Sequence, residues 1–194
     1  DIKDFYSKKG GRYKNVSDLI SDTENLISNL SDGWNIDSIK YLPEELVYKD
    51  NSTLILHISS FERSNTLGSS FWCISTDMYH WDEYTSDFNK QYFIYDFSKK
   101  QSDKQSMIGV TINLKGNIIY AHYKDDSKAN KNELIIYKEY LKPYSKEYIK
   151  TKINVDDIKE VSKYGLVDEV KRLIKQGVDP SDKNNYAIRY ASQN

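Results

Sequence analysis

The chain has 194 residues, of which 38% are hydrophobic and 29% charged, and its formal net charge is −1. This length can bury a sizeable core, and a charge near zero provides no basic field for holding nucleic acid, so no nucleic-acid partner is expected. The single cysteine excludes an intramolecular disulfide, and the lack of a long apolar run or signal peptide predicts a cytoplasmic protein with no membrane partner.

Apolar spacing and turn chemistry predict the elements of the first 150 residues. Apolar side chains three and four residues apart indicate helices, whereas β-branched and aromatic runs between turn residues indicate strands. In chain order, the predicted elements are a helix over 16–30, strands over 45–50 and 54–58, a short helix over 77–87, a strand over 91–97, a hairpin over 107–123 and a helix over 132–142.

This order predicts an α+β fold, with a mostly antiparallel sheet of about five strands flanked by helices, over residues 1–150. Residues 151–194 have a different, all-helical pattern. A short helix ends near Gly165, and a second, LVDEVKRLIKQG, ends at Gly177. The sequence therefore predicts a separate helical segment after the α+β domain.

The stretch GLVDEVKRLIKQGVDP resembles an ankyrin repeat, and AIRYASQN resembles the start of a second one. The usual Thr-Pro-Leu-His signature is absent, as in ankyrin arrays of large DNA viruses and phages. The resemblance implies a short ankyrin-like helical repeat segment that binds proteins through its repeat tip. The tip residues are Asp179, Asp182, Asn184, Asn185 and Tyr186.

A second resemblance covers about residues 45–126. The run LGSSFWCISTDMYHWDEYTSDFNKQYFIYDF, followed by the strand IGVTI, resembles uncharacterised phage and large-virus proteins with a Trp-Cys motif. It implies a viral origin rather than a reaction. With the ankyrin-like segment, it favours an accessory protein that binds a host protein in the host cytoplasm, for example to antagonise host defence.

Cys73 allows a catalytic alternative. A cysteine just before a helix can act as a nucleophile when a histidine and an orienting carboxylate are near, and His122 with Asp125 or Asp126 could supply them. The order Cys, His, Asp resembles papain-like and transglutaminase-like folds, although no glutamine stands at a recognisable place for the papain oxyanion hole. The competing interpretation is a small buried hydrophobe among Phe71, Trp72 and Ile74.

The aromatic residues suggest a third function, a small-molecule or nucleotide pocket. Trp72, Trp81, Tyr84 and Tyr92 are candidates for its lining, because the short helix is expected to fold over the strand 91–97. The competing interpretation is that these rings simply form the core.

Metal binding is not expected. The three histidines, His57, His80 and His122, fall on separate predicted elements without metal-ligand spacing. No phosphate-binding glycine loop or other cofactor motif is present, so no cofactor is expected either. Because no catalytic constellation is complete in the sequence, binding is the favoured function and catalysis the alternative.

Overall fold

A computed structural model of the chain describes residues 34–130, 132–181, 185 and 187–189. The helix predicted over 16–30 lies outside these residues. The chain divides into two compact units, the first ending at Lys142 and the second beginning at Pro143.

The first unit is built on one five-stranded antiparallel sheet with the strand order β1-β2-β3-β4-β5. Each strand pairs with its neighbours in the chain, and this confirms the predicted α+β class and the mostly antiparallel sheet. Asp50 forms the first turn by accepting the backbone N–H groups of Ser52 and Thr53, and Gly116 supplies the positive φ of +76° in the last. The strands are β1 Leu46–Lys49, β2 Thr53–Ile58, β3 Lys90–Asp96, β4 Met107–Ile112 and β5 Ile118–Tyr123.

Three α-helices lie in the connection between β2 and β3. The predicted helix over 77–87 is α3, which Asp77 caps by accepting the N–H of Tyr79. Two others were not predicted, because their residues are mostly polar and lack a long apolar period. The helices are α1 Phe61–Leu67, α2 Cys73–Thr76 and α3 Met78–Thr85, and short 3₁₀ helices cover Ile36–Ser38, Pro43–Glu45, Ser86–Phe88, Lys104–Ser106 and Ile135–Tyr137.

The helix predicted over 132–142 is wrong. Its described residues form turns around the 3₁₀ helix Ile135–Tyr137. Leu134, Tyr137 and Leu141 have the spacing of one helical face, but the backbone hydrogen bonds here join residues three apart, as in turns and 3₁₀ helices. Leu134 and Leu141 pack on the sheet, while Ile135 and Ile136 remain 64% and 69% exposed.

The sheet has a hydrophobic cluster on each face. The helices α1–α3 pack on the face that we call the front, and residues from the segment after β5 pack on the back. Successive strand residues point to opposite faces, so β3 sends Phe93 and Tyr95 to the front and Tyr92 and Ile94 to the back.

The second unit is helical over its described residues. Gly165 and Gly177, at φ of +65° and +89°, end its last two helices in the left-handed conformation that glycine favours. Val161, Leu166 and Leu173 are buried between those helices. The helices are α4 Lys146–Lys150, α5 Ile158–Lys163 and α6 Val167–Lys175, and the ankyrin-like character of the segment stays a prediction.

A buried ion pair connects the start of β1 to α1. The carboxylate of Glu45, whose side chain is only 2% exposed, accepts hydrogen bonds from Arg63 Nε at 2.5 Å and Nη2 at 2.8 Å, and from the N–H of Leu42 at 2.7 Å. Burial acts to raise the pKa of Glu45, but the hydrogen bonds from Arg63 and Leu42 outweigh it and lower the pKa below 4.5. The ionised form is therefore the one that stabilises the fold.

We expect Glu45→Gln to lower the free energy of unfolding by about 3 kcal/mol at neutral pH, because it leaves Arg63 without its charged partner. The lowered pKa means that the wild-type advantage is present above pH 4.5 and lost as the pH falls through the folded pKa. Urea unfolding of both proteins between pH 7 and pH 3 measures how the difference in their free energies of unfolding changes with pH. Glu44→Gln is the matched control, because Glu44 is exposed; equal losses in both variants would contradict the prediction.

Candidate functional site

Six positions on the front face of β3, β4 and β5 form a grid of two rows. Residues directly opposite each other on paired strands have side chains about 4.5–5.5 Å apart, so each row brings three neighbours together. The first row is Gln91, Thr111 and Tyr120, and the second is Phe93, Gly109 and His122.

Trp72 covers the second row. A Cβ at position 109 would lie 3.2–3.4 Å from the ring carbons of Trp72, so the glycine makes room for the indole. The same ring lies 4.9 Å from the ring of Phe93, centroid to centroid, and its Nε1 donates to the carbonyl of Tyr123 at 2.6 Å. These contacts hold the start of α2, and with it Cys73, against β4 and β5.

A cavity of about 20 Å³ lies between the helices and the grid. It brings together residues from five separated parts of the chain, among them the predicted Trp72, Cys73, Tyr84, His122 and Asp126. Cys73 is only half-buried, unlike the fully buried hydrophobe of the competing interpretation. The lining residues are Trp72, Cys73, Ile74, Tyr84, Gln91, Gly109, Thr111, Tyr120, His122 and Asp126.

His122 and Asp126 form a pair at one wall of this cavity. The Nδ1 of His122 lies 2.9 Å from Oδ1 of Asp126. The turn after β5 makes the pairing possible, because Asp126 adopts a left-handed φ of +65° and donates its N–H to the carbonyl of Tyr123. A carboxylate acceptor at Nδ1 places the proton there and leaves Nε2 as the basic nitrogen.

Asp125, the other predicted carboxylate, forms its hydrogen bonds with Ser127. It accepts the backbone N–H of Ser127 at 3.0 Å and the hydroxyl of the same residue at 2.6 Å. The hydrogen bonds from Ser127 stabilise the ionised carboxylate and so lower the pKa of Asp125. Of the two alternatives, Asp126 is the residue paired with His122.

Tyr84 is the polar neighbour of the Cys73 thiol. Burial, and then the adjacent thiol, raises the pKa of Tyr84 to about 12, so its hydroxyl is protonated at neutral pH. Its ring lies 4.4 Å from the ring of Tyr120. The thiol therefore has a hydrogen-bonding phenol beside it in addition to the His122–Asp126 pair across the cavity.

The four aromatic candidates do not form one pocket. Trp72 and Tyr84 line the cavity, whereas Trp81 is buried in the front cluster and Tyr92 in the back cluster. The hydroxyl of Tyr92 donates to the carbonyl of Lys142 at 2.5 Å. The cavity is also far smaller than the roughly 300–1,000 Å³ of small-molecule sites.

The remaining candidates lie elsewhere. His57 contacts the Tyr92 ring on the back of the sheet, and His80 faces Glu83 at 3.4 Å. Within residues 34–130, 132–181, 185 and 187–189, no group of three or more His, Cys, Asp or Glu side chains could hold a metal ion.

The predicted interaction tip is only partly described. Asp179 accepts the N–H of Ser181 at 2.8 Å, and Asn185 has a positive φ of +58°. Asp182, Asn184 and Tyr186 lie outside the described residues.

A larger cavity of about 350 Å³ contains none of the predicted residues. It lies beside the β4–β5 turn, and its lining side chains carry no nucleophile and, apart from Lys138, no titratable group. The lining residues are Gly116, Asn117, Ile118, Leu134, Ile135, Lys138 and Leu141.

Sequence reasoning missed four residues of the smaller cavity, Gln91, Gly109, Thr111 and Tyr120. They lie on three strands, and only the strand register makes them neighbours. Gln91 is two residues before Phe93 and so shares its face of the sheet, but this spacing becomes informative only once Phe93 is known to face the front.

No helix within the described part of the chain is long and apolar enough to cross a membrane. No protein-family model, curated protein or solved structure matches the chain. The viral and ankyrin resemblances therefore stay predictions, and the function has to be inferred from the cavity itself.

Proposed function

We propose that this protein is a thiol-dependent hydrolase or transferase with Cys73 as its nucleophile. One observation carries the proposal: Cys73 lines the same cavity as His122 and Asp126, which lie about 50 residues later in the chain and only 2.9 Å apart. A nucleophile, a base and a group that orients the base are the three parts of this kind of catalysis.

The roles follow from the chemistry of each group. His122 accepts the thiol proton at Nε2, because Asp126 engages Nδ1 and keeps the proton there. The resulting imidazolium is stabilised by the carboxylate of Asp126. The protonated hydroxyl of Tyr84 can donate to the sulfur and stabilise its negative charge.

The surroundings of Cys73 also support a reactive role. The thiol is half-buried, so a substrate can reach it, while the buried Trp72 on one side and Ile74 on the other limit the water around it. A low-dielectric environment strengthens the interactions among the charged groups during proton transfer.

We expect native Cys73 to react with iodoacetamide at pH 7 at least about tenfold faster in the wild type than in His122→Ala, because His122 removes the thiol proton. Asp126→Asn should also slow the reaction, since an amide no longer holds His122 as a base. Mass spectrometry of the alkylated protein over time measures both rates.

Asp125→Asn is the matched control and should react like the wild type, because Asp125 bonds only to its own turn. Labelling in urea completes the comparison. A thiol that reacts slowly when folded and quickly only after unfolding would identify Cys73 as a structural residue and contradict the proposal.

A second candidate function is protein binding by the helical unit. Val167 and Ile174 are seven residues apart on α6, so they lie on one face of the helix, and both are about half exposed at 55% and 45%. Exposed apolar patches of this kind are frequent at protein interfaces. This observation favours the binding function predicted from the ankyrin resemblance.

We expect Val167→Lys with Ile174→Lys to abolish capture of any partner that binds this helix face, because buried lysines would lose hydration on docking. Pull-downs from a lysate of the source cells at low salt, analysed by mass spectrometry, compare the wild type with this variant. Gln176→Lys, at the exposed residue that follows α6, is the control. Identical partner sets in all three samples would count against binding through this face.

A further inference from the structure

The side-chain amide of Gln91 is buried in the wall of the cavity with spare hydrogen-bonding capacity. Gln91 is 2% exposed, and its Oε1 accepts the hydroxyl of Thr111, itself 1% exposed, at 2.6 Å. A primary amide also has two N–H groups to place. Within the described residues, Nε2 donates to the carbonyl of Tyr92 at 3.5 Å, a distance at which a hydrogen bond is weak.

This arrangement orients the amide. Because Oε1 points to the Thr111 hydroxyl, Nε2 points in a different direction within the amide plane. A buried N–H without an acceptor costs about 1–3 kcal/mol, so such a donor in a protein interior calls for an explanation. The cavity that Gln91 shares with Cys73 offers one.

The size of the cavity suggests what the amide binds. A volume of about 20 Å³ accommodates about one water molecule. A single carbonyl oxygen requires similar space. Trp72, Ile74 and Gly109 contribute apolar wall. A negative oxygen in this space therefore depends on hydrogen-bond donors among the polar lining residues, of which Gln91 is one.

We propose that Gln91 Nε2 donates a hydrogen bond to the carbonyl oxygen of an acyl substrate during attack by Cys73. This inference rests on the proposed function and assigns its reaction class: acyl transfer from an ester, thioester or amide. Preorganised donors aimed at the developing oxyanion are a large source of rate acceleration in such reactions.

With an ester as the substrate, the reaction has two stages, acylation of Cys73 and hydrolysis of the resulting thioester. The thiolate of Cys73 forms a bond to the carbonyl carbon, and the C=O π electrons move to the oxygen beside Gln91. Collapse of this intermediate breaks the bond to the alcohol oxygen, which takes the proton that His122 had removed from the thiol and leaves as the alcohol, and Cys73 becomes a thioester. Water, whose proton passes to His122, then releases the acid and restores the thiolate.

The test compares two reagents for the same thiol. p-Nitrophenyl acetate acylates Cys73 through an oxyanion and releases p-nitrophenolate, whereas methyl methanethiosulfonate forms a disulfide and contains no carbonyl. We expect Gln91→Met and Gln91→Glu to lower the acylation rate about tenfold to a hundredfold relative to the methylthiolation rate. Gln91→Glu retains the acceptor for Thr111 and so serves as the second variant if the first folds poorly.

Gln176→Met, an exposed glutamine outside the cavity, should leave the ratio of the two rates unchanged. A ratio that also stays unchanged in both Gln91 variants would overturn the inference and make the amide a structural or water-binding group. Wild-type protein that reacts rapidly with the thiosulfonate but not with the ester would overturn acyl transfer while leaving the reactive thiol intact. A wild-type thiol that is slow towards both reagents would refute the proposed function itself.

Discussion

The hydrogen bond from the indole of Trp72 to the carbonyl of Tyr123 is the contact on which the candidate site depends. Cys73 is the next residue after Trp72, and His122 immediately precedes Tyr123. One bond, together with the packing of the indole over Gly109, therefore fixes the separation of two residues that are remote in the chain. If the buried donor and acceptor separated, no water would replace their hydrogen bond, so the contact resists separation.

The sheet was largely predictable because its signals are local. Aromatic and β-branched runs, the Asp50 turn and the glycine turn at Gly116 each act within a few residues. The helix α1 was missed because Ser60 and tertiary packing, rather than apolar periodicity, stabilise it. A helix is predicted around Ile135 because Leu134, Tyr137 and Leu141 have helical spacing, whereas the backbone forms turns and a 3₁₀ helix there.

The site was predictable in its residue types but not in its geometry. Cys73 and His122 were singled out by chemistry, and the choice of Asp126 over Asp125 required the left-handed turn. β3 is buried at five of its seven positions because both sheet faces are covered, so the sequence does not show which face Gln91 is on.

The connectivity of the sheet has a consequence for how the protein folds. The hairpins β1–β2 and β4–β5 close short loops, whereas the pairing of β2 with β3 must close a loop over residues 59–89 that contains α1–α3. Closing the longer loop costs more chain entropy, so the hairpins are expected to form early and the docking of Trp72 late. The cavity is then assembled only as folding finishes, and nascent or partly folded chains do not carry the grouping of Cys73 with His122 and Asp126.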